Sequence, residues 1–176
     1  MVRILRENQG AFQAGAPYPD TFYNSLCHEG DFHAISEDIH WGEYQRVAWT
    51  YFRKTYPDPI GNPDAEKLFA FILGLTSHQV ADVSWHSMMG LKDGMIEMLK
   101  YTDFEGNYGQ AHTYADFVGD IVGIMEWNTS YIDQWYVPTQ DLHNIMIEYY
   151  GEDRGISQNL IYSCTLMLLG NFLLMK

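Results

Sequence analysis

The sequence predicts a mostly α-helical protein. Apolar residues recur at helical spacing over long stretches, prolines and turn-forming clusters separate those stretches, and no segment alternates as a half-buried strand does. With 176 residues, 47% of them hydrophobic, the chain is long enough for one sizeable core and short for two. A single domain over residues 1–176 is expected, with no internal repeat and no low-complexity tract.

The residues up to about Gly15 suit a short helix, which Pro17 and Pro19 break. A long loop is then expected from Asp20 through Asn24, Gly30 and Asp31 to His40. It carries Asp20, His28, His33, Asp38 and His40, and loops of that length are uncommon unless they have a task. Helical spacing resumes from Trp41 to about Tyr56 and stops at Pro57-Asp-Pro59. Asn62-Pro63 offers an N-cap with proline at the first helical position. The helix that follows is apolar on nearly all sides through Leu75, which predicts a central place in the fold. Gly94 to Tyr101 suits a short helix, Glu105-Gly-Asn107 a turn, and Tyr108 to about Trp135 a long helix. Thr139 is a candidate cap for a helix ending at Gly151, and Ser157 starts the last one. Residues Ile161 to Leu174 are apolar enough to demand cover.

The formal charge of −13 speaks against nucleic acid, because a phosphodiester binder needs Lys and Arg that are scarce here. Cys27 and Cys164 could pair in an oxidising compartment or stay buried thiols in a reducing one. Residues 1–8 lack the apolar run of a secretory signal, and no stretch reaches the roughly 20 apolar residues of a membrane span. Read literally, the chain is soluble and intracellular.

His78, Asp82 and His86 stand four residues apart within the run Leu75 to Ser87. Steps of four drift by only about 40° around a helix, so the three share a face. Imidazole, carboxylate and imidazole suit zinc and are too rich in nitrogen for calcium or magnesium. His112 and Asp116 form a second such pair, with Asp120 a turn further on. The competing explanation is a His–Asp hydrogen bond that fixes a helix crossing without metal. Clustering favours metal, because a catalytic zinc takes three protein ligands and six or seven convergent ligands imply two ions. Two zincs suit phosphoester hydrolysis, where the charge growing on phosphoryl oxygens must be neutralised.

Other singled-out residues read more simply. His143, near Asp141 and Glu148, suits a solvated face. His28 suits a loop surface, and His33 competes with His40 for one role. Met88, Met89, Met95, Met98 and Trp85 suit core packing better than a lipid-facing rim. Asn128-Thr-Ser130 matches the N-glycosylation pattern but falls within an expected helix.

Several segments together resemble the zinc-dependent phospholipase C-like domain of glycosylphosphatidylinositol (GPI)-specific phospholipases D. They are Phe12-Gln-Ala-Gly, Pro19-Asp20, Phe32-His33, His40-Trp41, Glu66-Lys-Leu, Thr76-Ser-His78, Ala81-Asp-Val-Ser-Trp-His-Ser87, Ala111-His112, Gly119-Asp120 and Trp135-Tyr-Val-Pro138, spanning about Gln9 to Gly151. The run Ala81 to Ser87 is the specific one. The resemblance implies a multi-helix fold in which Asp20, His40, His78 and Asp82 surround one zinc while His86, His112 and Asp116 hold a second. It also implies that Asp82 bridges to a third zinc whose remaining ligands precede Met1, so that site is expected to be incomplete and the chain truncated. The resemblance implies secretion, and the family's signal peptide and C-terminal propeller are expected to be missing from this chain.

The implied reaction is hydrolysis of the inositol phosphate linkage of a GPI anchor, releasing phosphatidic acid, with Asp20 orienting or deprotonating the attacking water. The implied partners are GPI-anchored proteins or phospholipid, met through transient membrane-surface contact and without nucleic acid; oligomeric state is left open. Two rivals stand beside this reading. One is an inactive truncated fragment that keeps metal, and the other a single-strand zinc nuclease-like enzyme, which the acidic balance disfavours.

Overall fold

The computed structural model describes residues 1–23, 27, 32–87, 94–132 and 134–175. His28, Met88 and Met89, and the loop landmarks Asn24, Gly30 and Asp31, lie outside the described residues. Among those described, the regular structure is helical and no strand occurs. The mostly α class read from hydrophobic spacing is what the chain adopts.

Helices α1 (Val2–Glu7) and α2 (Gln9–Gly15) replace the single opening helix, parted at Asn8 by φ −123° and ψ 39°. A 3₁₀ turn, Tyr18–Asp20, carries the proline break. The loop expected to run to His40 is shorter, because α3 covers His33–His40. Ile35, Ser36, Ile39 and His40 are its buried residues, so a one-sided apolar stripe at i and i+4 was hidden among the polar residues. Helix α4 spans Gly42–Thr55 and α5 spans Pro63–His86. Asn62 caps α5 as expected, its Oδ1 accepting from the backbone N–H of Asp64 at 3.1 Å and Ala65 at 3.3 Å.

Helix α6 covers Met95–Thr102 and α7 covers Tyr108–Glu126, capped by Asn107, whose Oδ1 accepts from Gln110 N–H at 3.1 Å. The prediction of a helix reaching Trp135 overshoots, since Trp127 is already extended at φ −101° and ψ 143°. Helix α8, Thr139–Tyr150, starts on Pro138 rather than on a Thr139 cap and stops at Gly151, whose φ of 74° suits glycine. Helix α9, Gln158–Met175, follows Ser157, whose Oγ accepts from Leu160 N–H at 3.2 Å.

The chain divides into two compact units, one of residues 1–77 with 132–174 and one built on residues 78–131. The first holds the larger core, where Tyr18, Phe22, Tyr44, Phe71, Ile145 and Ile161 are all fully buried. Helix α5 is central only along its first part, where Ala65 to Leu75 are mostly buried. It meets α2 backbone to backbone: a Cβ on Gly15 would come within 2.1 Å of the Phe71 carbonyl oxygen, and one on Gly74 within 2.2 Å of that of Phe12. Arg3 of α1 pairs with the carboxylate of Glu66 and holds it below the usual carboxylate range. The apolar α9 is covered only in part, burying Leu160, Ile161, Cys164 and Leu169 while Met167, Leu173 and Leu174 stay exposed. Cys164 is bonded to Cys27, closing a loop of 137 residues. The second unit has a small core of Ile96, Ala111 and Ala115, flanked by Trp85, Leu99 and Phe104. Met95 and Met98, expected in the core, are about half exposed there, because α6 turns Ile96 inward instead. No helix among the described residues is long and apolar enough to cross a membrane.

Candidate metal centre

In the first unit the 3₁₀ turn and α3 bring Asp20 and His40 together. His40 Nε2 lies 3.3 Å from Asp20 Oδ1. The other ring nitrogen, Nδ1, is 2.7 Å from the carbonyl oxygen of Ser36, one turn back on α3. A carbonyl only accepts, so Nδ1 carries a hydrogen and Nε2 is the nitrogen that faces the carboxylate. Two acceptors at that distance are compatible when a proton or a cation serves both. His33 and His40 differ in position. His33 is exposed, 3.7 Å from Glu37 and against the ring of Tyr23, whereas His40 is buried.

In the second unit α5 presents His78, Asp82 and His86 in a row. Asp82 Oδ2 is 3.3 Å from His78 Nε2 and Asp82 Oδ1 is 3.7 Å from His86 Nε2, so the central carboxylate addresses both rings. Helix α7 brings the second pair, His112 Nδ1 lying 3.2 Å from Asp116 Oδ2. The rings of His86 and His112 are 4.8 Å apart. One ligating atom each from His86, His112 and Asp116 lies within 4.8 Å of the others, and all three side chains are partly accessible. Two nitrogens and one oxygen at such spacing fit a zinc ion with a position left for water. Asp120, a turn beyond Asp116, is exposed and is not part of that group.

Trp85 positions this cluster. Its Nε1–H donates to Asp116 Oδ1 at 2.8 Å, leaving Oδ2 toward His112. Its ring also packs against Gly119, where an added Cβ would come to 3.0 Å from the indole. The Tyr108 hydroxyl donates to the His86 carbonyl at 3.3 Å. Sequence reading placed Trp85 only in the core; its place between His86 and Asp82 in the motif was the available signal. His143 departs from its expected solvated face, since its Nδ1 lies 2.8 Å from the Ile156 carbonyl and ties α8 to the segment before α9.

The helical architecture agrees with the family that the wider comparison finds. A family model for zinc dependent phospholipase C matches residues 1–158, and the chain belongs to that family. It is 44% identical over 163 residues to the phosphatidylinositol-glycan-specific phospholipases D of Rattus norvegicus and of Homo sapiens. That of Dictyostelium discoideum is 40% identical over 144 residues. The rat and human matches cover 92% of this chain and 19% of the relatives, so the chain spans about a fifth of their length. No solved structure matches the chain.

Proposed function

We propose that the chain is a zinc-dependent phosphodiesterase domain that hydrolyses the inositol phosphate linkage of GPI anchors in the phospholipase D sense. The observation that carries this reading is the convergence of His86, His112 and Asp116, ligating atoms within 4.8 Å of one another, in a zinc dependent phospholipase C family member. His86, His112 and Asp116 would hold one zinc; Asp20 with His40, and His78 with Asp82, are the further candidate ligands. Asp82, which lies near two imidazoles, would bridge to a third ion. When bound, the ions supply Lewis acidity that lowers the pKa of water and neutralises charge on the phosphoryl oxygens.

The remaining roles fall to the protein. Asp20 has a side chain 43% exposed and a neighbour in His40, which suits a base that orients the attacking water and takes its proton. Attack at phosphorus expels the inositol oxygen, which leaves with a proton, and the phosphate stays on the diacylglycerol as phosphatidic acid. Ser36 fixes the His40 tautomer, and Trp85 fixes the Asp116 carboxylate. The partners would be GPI-anchored proteins or phospholipid at a membrane surface. The Cys27–Cys164 bond supports a secreted protein, since such bonds persist in oxidising compartments.

Release of a GPI-anchored protein from vesicles, with phosphatidic acid as the lipid product, tests the reaction. Diacylglycerol as the product would move the cleaved bond to the other side of phosphorus. Zinc binding without release would favour the inactive fragment.

A further inference from the structure

Asn128-Thr129-Ser130 is the only place in the chain where Asn is followed, two residues on, by Ser or Thr with a residue other than proline between. Within a helix it would make a poor acceptor for a sugar. The structure takes it out of the helix: α7 ends at Glu126, and Trp127 turns to extended backbone. Asn128 and Ser130 are exposed. Asn128 Oδ1 accepts two hydrogen bonds, from the Ser130 backbone N–H at 3.1 Å and from the Ser130 hydroxyl at 2.6 Å. Both polarise the side-chain amide toward its oxygen and leave Nδ2 outside the pair of bonds.

The disulfide supplies an independent observation. Cys27 and Cys164 are bonded, which places folding in an oxidising lumen, the compartment in which asparagine glycosylation occurs. We propose that Asn128 is an N-glycan acceptor. A bond forms between Asn128 Nδ2 and the anomeric carbon of a lipid-diphosphate-linked oligosaccharide. The bond from that carbon to the diphosphate oxygen breaks, the lipid diphosphate leaves with the electron pair, and one Nδ2 proton passes to a base of the transferase.

The position suits a glycan that leaves the chemistry open. Asp116 and Glu126 are ten residues apart on α7, about 15 Å along its axis at 1.5 Å per residue. The glycan would stand instead beside Met125, Trp127 and Tyr131, which are 79%, 73% and 62% exposed. Large apolar side chains at such exposure invite association, and a neighbouring polar oligosaccharide opposes it.

The proposal rests on the secreted reading, so the test imposes lumenal entry with a heterologous leader on the full chain in a eukaryotic host. Material from the medium or the lumen is treated with a peptide N-glycosidase and examined by electrophoresis and peptide mass. The expected result is a glycosidase-sensitive form, lost in Asn128→Gln and in Ser130→Ala and kept in Ser130→Thr. Lumenal protein with the Cys27–Cys164 bond formed and no glycan, or a glycan that survives Asn128→Gln, would overturn it. Whether cells that make the protein export it is a separate measurement, so the two readings fail separately.

Discussion

Asp82 is set between two imidazoles, 3.3 Å from one and 3.7 Å from the other, and no other carboxylate among the described residues has that position on α5. Changing Asp82→Asn keeps the shape and removes the charge. Turnover should fall on the order of 100-fold or more, with helicity by circular dichroism unchanged; retained turnover would mean that Asp82 is not a bridging ligand. Asp141 offers a different test, away from the metal residues. It accepts from the Tyr51 hydroxyl at 2.9 Å and the Tyr56 hydroxyl at 3.2 Å, yet burial raises its pKa above the ordinary aspartate value. Burial and the same carboxylate push the Tyr56 phenol up to about 12. A carboxyl whose pKa rises on folding favours the folded state while protonated and loses that contribution as pH rises through the folded pKa. Asp141→Asn should therefore be as stable as the parent or more so near pH 7, and the difference should shrink below about pH 4; a variant clearly less stable at neutral pH, by thermal melting, would contradict this. At this scale the site was legible where spacing is helical: His78, Asp82, His86, His112 and Asp116 share faces by counting alone. That His40 is buried and His33 exposed was not legible, because it depends on the face of α3 that Ile35 and Ile39 turn inward.

The helices that were hardest to read are those whose ends are set by packing rather than by prolines or caps. Helix α3 is eight residues long with five polar or charged side chains, so its apolar stripe is carried by little more than Ile35 and Ile39. Helix α7 ends at Glu126 with no proline or glycine stop, its last turn lying against Trp127, whose ring is 3.4 Å from a Cβ built on Gly123. Helix α5, by contrast, was bounded correctly at its start by Asn62 and Pro63, because cap chemistry is local. The close approach of α2 to α5 was not legible, since nothing in the sequence says which glycines face each other. It makes a direct prediction. Gly74→Ala should destabilise the first unit by roughly 1–3 kcal/mol or more in urea unfolding, because the added methyl meets backbone and cannot turn aside. A cost under about 0.5 kcal/mol, the range of ordinary surface substitutions, would mean that the two helices part easily.

The whole chain holds two units of unequal core. The first is stabilised by a large aromatic and aliphatic cluster and by the disulfide, which in a chain-entropy picture contributes about 3–5 kcal/mol for so long a loop. Among the described residues the second has a core of Ile96, Ala111 and Ala115 with a few flanking side chains, in a unit that carries five of the seven metal candidates. Ligand-linked stabilisation should therefore be largest there. Chelation should lower the melting of residues 78–131, read by hydrogen exchange of α7, more than that of α8; equal loss in both would deny the link between metal and the second unit. The net charge of −13 is consistent with the same account, since bound cations offset part of it. Sequence could not show the division, because α5 runs without interruption from one unit into the other.

The most direct measurement is the zinc content of the purified chain beside that of His112→Ala. Elemental analysis should find about two zinc ions per chain in the parent and about one in the variant, since three ligands are needed to hold each ion. Less than one zinc per chain in the parent, or no loss in His112→Ala, would contradict the assignment of His86, His112 and Asp116 as a metal centre.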